Sequence, residues 1–329
     1  MLHLHGVGHF HPDNEITNAF LEELEINTDD AWIVQRTGIH SRRTVLSLEY
    51  IRQTRNNDVR AASEATEYSN AELGRRAAQM AIERAGIERC EIGMIIGGGS
   101  VPETVTPAEA CNIAAALELD VPAFDLRSAC TSFGAALSLL CRMRPDALPE
   151  YVLIVVPETV TRSVDYSDRK AAVLWGDGAA AAVVSTRVEG RATISCNTLA
   201  SNPRGHEKVV VPWAGHFEQD GTSVQSFAIK TTVSLLRSLQ KQYSGVEEQH
   251  FHFVGHQANL RMLQSVCKTC NIPGERHHHN VQEYGNTASA GAPSVLSTRW
   301  DTFQAGDHVA VIGVGSGLTW TDSMIQFRA

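Results

Sequence analysis

A cysteine lies where a predicted strand gives way to a predicted helix. The run 121–124 is typical of a short buried strand, and the apolar spacing over 133–140 predicts a helix after Cys130. Backbone N–H groups at a helix start stabilise a thiolate, so we expect the pKa of this thiol to be lowered. Cys130 is therefore a candidate nucleophile, with a buried packing cysteine as the alternative.

Two other polar stretches follow predicted strands. His256 lies in Phe251–Arg261 at the end of a strand over 251–255, and Asn286 lies in Glu283–Gly291, where it is expected to open a helix. A cysteine, a histidine and an asparagine at separate loop positions are suited to nucleophilic acyl chemistry. A fourth stretch, Gly313–Trp320, is rich in glycine and precedes the last strand.

These four ordered motifs, together with Trp32–Ile39, resemble the β-ketoacyl-acyl-carrier-protein synthase III family, whose members are condensing enzymes of the thiolase superfamily. The resemblance runs nearly end to end. It implies a thiolase-like α/β fold with a duplicated, five-layered α-β-α-β-α architecture. We place the halves at 1–188, with the cysteine, and 189–329, with the histidine and asparagine. Alternating strands and helices independently favour an α/β class.

The composition limits the classes of function. The chain has 329 residues, 43% of them hydrophobic and 20% charged, which is enough for a large core and argues against disorder. A net charge of -9 argues against a nucleic-acid binder. The chain shows no long apolar run and no signal-peptide pattern, so we expect a cytoplasmic protein without a membrane association. Seven scattered cysteines suit free thiols in a reducing compartment.

The resemblance implies a two-stage reaction. Cys130 takes an acyl group from an acyl-coenzyme A (acyl-CoA), while the backbone N–H groups of Cys130 and Ser316 bind the oxyanion. A malonyl thioester on acyl carrier protein then loses carbon dioxide, and His256 and Asn286 donate hydrogen bonds to the enolate oxygen. The carbanion attacks the acyl-cysteine and gives a β-ketoacyl product. This chemistry needs no metal and no cofactor.

The resemblance also assigns binding roles. Trp32 stacks on the adenine of coenzyme A, while Arg36 and Arg169 hold its phosphate end. Arg261 contacts phosphate and the carrier protein. The residue before Pro107, which is often phenylalanine in the family, reaches across a homodimer interface to close the partner's acyl pocket. Here it is Thr106, and a smaller residue implies a deeper or more polar pocket.

The substrate is left open between two primers. One is a short acyl group for fatty acid initiation. The other carries a distal carboxylate, such as glutaryl-CoA, the substrate class of BioZ-type enzymes that feed biotin synthesis. Thr106 and the arginines of 52–60 favour an acidic or larger primer, although the segment 41–68 also suits a solvated surface insertion. Other classes are a non-decarboxylating acyltransferase or thioesterase, against which Asn286 argues, and a non-catalytic scaffold subunit.

Two motifs with metal-ligand residue types are interpreted as structural. Cys267 and Cys270 form a single CxxC pair at the end of a predicted helix, and no second pair completes a zinc site. The histidines 277–279 lack accompanying acidic or cysteine ligands. We therefore predict no metal site.

Overall fold

The computed structural model describes residues 1–328, which form strands and α-helices joined by short 3-10 turns. The strands are β1 Leu2–Phe10, β2 Asn14–Thr17, β3 Ser41–Thr44, β4 Ile92–Gly97, β5 Ala123–Asp125, β6 Tyr151–Glu158, β7 Gly178–Ser185, β8 Ala192–Ser201, β9 Val209–Val210, β10 Glu218–Gln219, β11 Phe251–Gly255, β12 His308–Gly315 and β13 Thr319–Phe327. The helices are α1 Asn18–Glu23, α2 Asp30–Thr37, α3 Leu48–Thr54, α4 Val59–Glu64, α5 Asn70–Ala85, α6 Glu109–Ala116, α7 Ser132–Leu140, α8 Arg169–Ala172, α9 Gly221–Gln242, α10 Leu260–Cys270, α11 Val281–Tyr284 and α12 Gly291–Thr298.

The main sheet contains the same strand arrangement twice. Its order is β11-β12-β13-β8-β1-β7-β6-β4-β5. If the sheet strands of each half are numbered 1 to 5 along the chain, β5-β4-β6-β7-β1 in the first half follow the order 3-2-4-5-1. In the second half, β11-β12-β13-β8 follow the order 2-4-5-1, which is the same arrangement without strand 3. An isolated bridge between Phe253 and His277 stands at the position of the missing third strand. The predicted duplicated, thiolase-like α/β fold is therefore confirmed.

Helices α7 and α12 form the middle of five layers, since each packs on strands of both halves. Helices α5 and α6 cover the outer face of the first half, and α9 and α10 cover that of the second. Strands β6 and β7 are buried along their whole length and read as continuous apolar runs. Burial on both faces explains why these strands lack alternating polar residues.

Capping residues set both ends of α2 and of α5. Asp29 caps α2 by accepting a hydrogen bond from Trp32 N at 2.7 Å, and Gly38 ends the helix with φ of 72°. Ser69 and Gly86 bound α5 in the same way. The polar and apolar pattern of residues 12–24 predicts one helix from Pro12 to Leu24, but residues 14–17 form β2, which pairs with β3, and α1 spans only Asn18–Glu23.

The segment 41–68 is not a purely solvated insertion. It folds into β3, α3 and α4, and Arg42 is fully buried. The Arg42 guanidinium donates to Val173 O at 2.6 and 3.1 Å and to Asn18 Oδ1 at 2.6 Å. Gly285 makes room for it, since a Cβ there would lie 2.8 Å from Arg42 Cγ. Packing and hydrogen bonds therefore bury Arg42, although the many charges of this segment suggest an exposed surface.

Residue 188 lies in the connection between β7 and β8, and β1 pairs with β8 across the two halves. The division into domains 1–188 and 189–329 stays a prediction. Within residues 1–328, no helix combines the length and apolar character that crossing a bilayer requires. The cytoplasmic location likewise stays a prediction.

Candidate active site

Cys130 occupies the 3-10 turn 129–131, between β5 and α7. The backbone of this turn is in a left-handed conformation at Ala129, where φ is +46°. Two close approaches hold it in place. A Cβ on Gly315 would lie 3.0 Å from Cys130 Cβ, and one on Gly134 would lie 2.2 Å from Thr321 Oγ1. Small residues at these positions let the cysteine turn pack directly against the second half.

His256 follows β11 directly, as predicted, and its backbone N–H donates to Ile312 O at 2.8 Å. The next residue, Gln257, is fully buried and fixes the turn. Its amide donates to Gly255 O at 2.7 Å and accepts from Asn280 N at 3.2 Å. The imidazole ring forms no hydrogen bond within residues 1–328, so it is left to act on a substrate.

The prediction that Asn286 opens a helix is wrong, because the next α-helix, α12, begins five residues later. Its backbone instead bridges to the stretch before β7, where Asn286 N donates to Leu174 O at 2.8 Å and Gly176 N donates to Asn286 O at 3.1 Å. The side-chain Oδ1 accepts from Ala288 N at 3.0 Å. This bond leaves the Nδ2 group as the donor directed to the cavity.

The backbone N–H groups of Cys130 and Ser316 lie close enough to the Cys130 sulfur to act against the rise of its pKa. Two converging amides are the arrangement that binds a developing oxyanion. The Ser316 hydroxyl turns away from them and donates to Val209 O at 2.6 Å. The serine side chain therefore braces the β9 strand, and its N–H remains available to the site.

The acidity of the two central groups is set by burial. Burial, assisted by the nearby Glu158 carboxylate, raises the pKa of the Cys130 thiol to about 12, although hydrogen bonds from Ser100 and the two amides oppose the rise. The prediction that the helix start lowers the pKa of Cys130 is therefore wrong for the protein without bound substrate. Burial lowers the pKa of His256 to about 4, which keeps its imidazole neutral.

A cavity of about 770 Å³ brings the predicted catalytic residues together. Cys130, His256, Asn286 and Ser316 line its inner part, and Trp32 and Arg36 line its entrance. The remaining walls come from the stretch 168–175, the β9–β10 segment, the start of α9, the α10 region and β12. Arg36 lies 4.3 Å and Arg169 lies 4.8 Å from the centroid of the Trp32 ring. Two guanidinium groups therefore meet one indole at the entrance.

Three predicted site residues lie outside this cavity. Arg169 contacts Trp32 and donates to Asn27 O without lining the cavity itself. Arg261 donates to Val34 O at 3.0 Å and to Gln35 O at 3.2 Å, so it holds the last turn of α2. Thr106 is exposed and lines neither this cavity nor the two smaller ones described next. The roles assigned to all three stay predictions.

Two smaller cavities extend from the cysteine. The first, about 300 Å³, reaches beyond Cys130 and is lined by Val160, Trp175, Phe217 and the β9 strand. The second, about 350 Å³, contains the side chain of Arg162. Ser100 and Val211 line both, so the second cavity continues the first.

Sequence reasoning missed the polar groups around these cavities. Glu158 is fully buried at the end of β6, and it accepts hydrogen bonds from Ser100 and Ser289. Arg162 is 3% exposed, and its Nε and Nη2 atoms have no hydrogen-bond partner in the described chain. The available signal was an acidic residue ending the apolar run Tyr151–Val156, since buried charges are rare without a specific role.

No group of three or more histidine, cysteine or acidic side chains within the described residues is arranged to hold a metal ion. Cys267 and Cys270 are buried on α10, and Cys270 Sγ contacts Val233 O at 3.9 Å. His277 packs against Phe253. These residues contribute to the core around α10 and β11.

The comparisons with known proteins agree on one family. The family model described as 3-oxoacyl-[acyl-carrier-protein (ACP)] synthase III matches residues 124–203, and its C-terminal companion matches residues 242–327. A β-ketoacyl-[acyl-carrier-protein] synthase III from Aliarcobacter butzleri is 32% identical over 341 aligned positions, covering 98% of this chain and 96% of that protein.

Solved structures give the same result. The 3-oxoacyl-[acyl-carrier-protein] synthase III of Aquifex aeolicus VF5 is similar with a TM-score of 0.87 and 28% identity, covering 99% of this chain and 100% of that one. The priming β-ketosynthase of the R1128 polyketide biosynthetic pathway is similar with a TM-score of 0.83 and 26% identity, covering 100% and 96%. Fold, site geometry and full-length similarity together show that this chain belongs to the β-ketoacyl-acyl-carrier-protein synthase III family of condensing transferases.

Proposed function

We propose that this chain catalyses a decarboxylative Claisen condensation between an acyl-CoA primer and malonyl-acyl-carrier protein. The observation that carries the proposal is the convergence of Cys130, His256 and Asn286 on one cavity, beside two backbone N–H donors. In the first stage, the Cys130 thiolate attacks the primer thioester. The amides of Cys130 and Ser316 stabilise the oxyanion, and coenzyme A leaves.

In the second stage, the malonyl thioester enters the same cavity and loses carbon dioxide. The enolate oxygen then accepts hydrogen bonds from the His256 ring and from Asn286 Nδ2. Because His256 is neutral, both donors stabilise negative charge mainly as it develops, which lowers the barrier without strong binding of the ground state. The carbanion attacks acyl-Cys130 and releases the β-ketoacyl product. The scheme uses no metal and no cofactor.

The partners in this scheme are the two thioester carriers and a second copy of the chain. The basic cluster of Arg36 and Arg169 around Trp32 supports binding of the coenzyme A phosphates and adenine at the entrance. The printed names of the relatives support acyl carrier protein as the second carrier. We propose a homodimer because Thr106, which lies on the surface of one chain, would close the acyl pocket of another.

The test is acylation of the protein by a panel of acyl-CoA species, followed by intact mass measurement. Acetyl, medium-chain, aromatic and glutaryl thioesters form the panel, and Cys130→Ala is the control. We expect a gain of one acyl group with the preferred primer and no gain in Cys130→Ala. A correctly folded protein that gains no acyl group from any thioester would exclude a cysteine-bound intermediate from acyl-CoA.

A second candidate is a primer with a distal carboxylate. The cavity beyond Ser100 supports it, because Arg162 lines this cavity, and the buried Nε and Nη2 atoms of Arg162 lack partners in residues 1–328. Arg60 and Arg127 also line it, against Glu64 and Glu103, which leaves one excess positive charge. A desolvated guanidinium is suited to bind a carboxylate through two hydrogen bonds. Arg52 does not contribute, since it pairs on the surface with Glu23 and Glu49.

This candidate is tested by comparing glutaryl-CoA with pentanoyl-CoA, which has the same acyl chain length and no carboxylate. If the wild type prefers glutaryl-CoA, Arg162→Gln should slow glutaryl transfer by about 10- to 100-fold, the value of a charge-assisted hydrogen bond, and leave pentanoyl transfer nearly unchanged. Arg52→Gln is the matched control. Equal rates with both thioesters in the wild type would reject the carboxylate primer.

A further inference from the structure

Glu158 is a buried carboxyl group that the proposed mechanism does not use. It ends β6 and has no exposed surface. Ser100 N donates to Glu158 Oε2 at 2.9 Å, and Ser289 N donates to Oε1 at 3.0 Å. The hydroxyl groups of the same two serines also donate to Oε1, at 3.1 Å in the case of Ser100. Four donors fix this carboxylate between the Cys130 side and the Asn286 side of the site.

Ser100 connects this carboxylate to the nucleophile. It lines the 300 Å³ cavity together with Cys130, and it lies close enough to the sulfur to lower the pKa of the thiol. A hydroxyl group that donates to Glu158 still has lone pairs that are available to accept a proton. Thiol, hydroxyl and carboxylate therefore follow one another at this side of the cavity, and the hydrogen bond between Ser100 and Glu158 joins the last two. Ser289 donates to the same carboxylate oxygen as the Ser100 hydroxyl, and it lines neither cavity beside Cys130.

The surroundings of Glu158 favour proton exchange. Burial raises its pKa to about 7, although the hydrogen bonds from Ser289 and Ser100 oppose the rise. Cys130 is the titratable group that faces it, and its own pKa is raised partly by the Glu158 charge. Arg127 lies on the outer side of Ser100, where its Nη2 donates to Ser100 O at 3.1 Å. A thiol this weakly acidic needs a proton acceptor within reach.

We propose that Glu158 accepts the Cys130 proton through the Ser100 hydroxyl during acylation and returns it when the cysteine is released. This inference rests on the proposed function, since it requires an acyl-Cys130 intermediate. Ser100 is the group that lies between the reacting sulfur and the carboxylate. Glu158 acts through it, as a proton reservoir for the thiol.

The proton balance closes over the two stages. In acylation, the S–H proton moves to Ser100 as the Ser100 proton moves to Glu158, the sulfur bonds to the acyl carbon, and the coenzyme A thiolate leaves and takes a proton from solvent. In condensation, the carbon–sulfur bond breaks as the carbanion attacks. The cysteine leaves as a thiolate and recovers its proton from Glu158 by the reverse path. The net uptake is one proton, which the released coenzyme A carries.

A purely electrostatic role for Glu158 predicts the opposite mutational effect. If the carboxylate only repels the thiolate, its removal lowers the pKa of Cys130 and speeds acylation. If it accepts the proton, its removal slows acylation. The sign of the rate change therefore separates the two roles.

The experiment measures the acylation rate of Cys130 by quenched-flow intact mass, with the primer that acylates the wild type, from about pH 5.5 to pH 9. The wild-type rate should fall as the pH drops below about 7, because Glu158 becomes protonated and accepts no proton. Ser100→Ala and Glu158→Gln should slow acylation by about 10²-fold, a typical effect of losing a general base. Both variants should also lose this pH limb.

Two matched variants control for structure. Ser100→Thr keeps the hydroxyl group and should restore most of the wild-type rate. Ser289→Ala removes a hydrogen bond that lowers the pKa of Glu158, so it should move the pH limb upward and keep the plateau rate. Thermal unfolding of every variant shows whether the fold is intact.

The outcomes separate this inference from the proposed function. No acylation of the wild type by any thioester would reject the cysteine-bound intermediate itself. Acylation of the wild type with equal or faster rates in Ser100→Ala and Glu158→Gln would reject the proton path alone. A slow Ser100→Ala that Ser100→Thr does not restore would also reject it, since the loss would then come from packing.

Discussion

The Ser316 hydroxyl donates a 2.6 Å hydrogen bond to the backbone carbonyl of Val209. Both residues line the main cavity and the smaller cavity beyond Cys130. This bond joins the loop after β12 to the short strand β9, which lines the smaller cavity together with Cys130. The side chain of Ser316 therefore holds β9 in place, while its backbone N–H is one of the two proposed oxyanion donors.

Ser316→Ala should loosen this cover and leave the oxyanion N–H in place. Loss of one hydrogen bond of about 1 kcal/mol predicts about fivefold faster amide hydrogen exchange across residues 209–219, with acylation of Cys130 nearly unchanged. The exposed Ser244→Ala is the matched control and should not alter exchange there. Unchanged exchange in Ser316→Ala would show that other contacts hold the β9–β10 segment.

Asn286→Asp replaces the proposed enolate donor with a carboxylate of the same size. We expect carbon dioxide release from the malonyl thioester to fall by at least about 10²- to 10³-fold, since one oxyanion donor is lost and negative charge is added. Acylation of Cys130 should continue, because its oxyanion donors are backbone amides. A variant that loses both stages equally would contradict separate roles for the two donor sets.

Trp32→Ala should raise the KM for acetyl-CoA by about tenfold with little change in kcat, because adenine stacking contributes to binding and not to the chemical step. Initial rates at varied acetyl-CoA measure this. Trp213, which is 65% exposed and lines the second cavity, provides the control. A lower kcat in Trp32→Ala at an unchanged KM would place this residue in the chemical step.

Lowering the pH from about 7 to about 5 should reduce the free energy of unfolding by about 2 kcal/mol or more. Five buried or half-buried histidines have a pKa lowered to about 3 or 4, because partial or full burial disfavours their charged form: His9, His11, His256, His277 and His278. Below about pH 6.5 the unfolded chain binds protons that the folded chain does not, so stability falls with pH. Glu158 and Asp177, with pKa values raised by burial to about 7 and 6, act in the opposite direction, but they are fewer.

Urea unfolding at several pH values measures this dependence. His277→Phe should weaken it, since His277 stacks on Phe253 and an aromatic ring fits the site. The exposed His206→Asn is the control and should leave the dependence unchanged. Greater stability at about pH 5 than at about pH 7 would mean that the two carboxyl groups outweigh the histidines.

The sequence predicts the position of a site residue well where that residue follows a strand that the local hydrophobic pattern already indicates. His256 directly follows β11, and Cys130 lies in the turn between β5 and α7, both as expected. The buried strand predicted over 121–124 is wrong in its details, because β5 spans Ala123–Asp125 and Phe124 is 40% exposed. Asn286 is expected to open a helix, but its backbone bridges to Leu174 and Gly176, and α12 begins only at residue 291. That bridge joins residues more than a hundred positions apart, and no local pattern indicates it.

The same limit explains the missed groups. Glu158 is a single acidic residue after an apolar run, and its partners Ser100 and Ser289 are 58 and 131 positions away. Arg42 belongs to a charged segment that suggests exposure, yet glycines elsewhere in the chain leave it a buried site. Contacts between residues far apart in the chain bury both Glu158 and Arg42, and such contacts cannot be inferred from the local pattern of a single sequence.

The central claim is that an acyl group on Cys130 is consumed by a decarboxylative condensation. It is tested most directly by isolating the acyl-enzyme, adding one equivalent of a malonyl thioester, and following carbon dioxide release together with the mass of the protein. We predict one carbon dioxide and one β-ketoacyl thioester for each acyl group lost from Cys130. Loss of the acyl group without carbon dioxide, as free acid or as an acyl thioester, would contradict the account and identify a thioesterase or an acyltransferase.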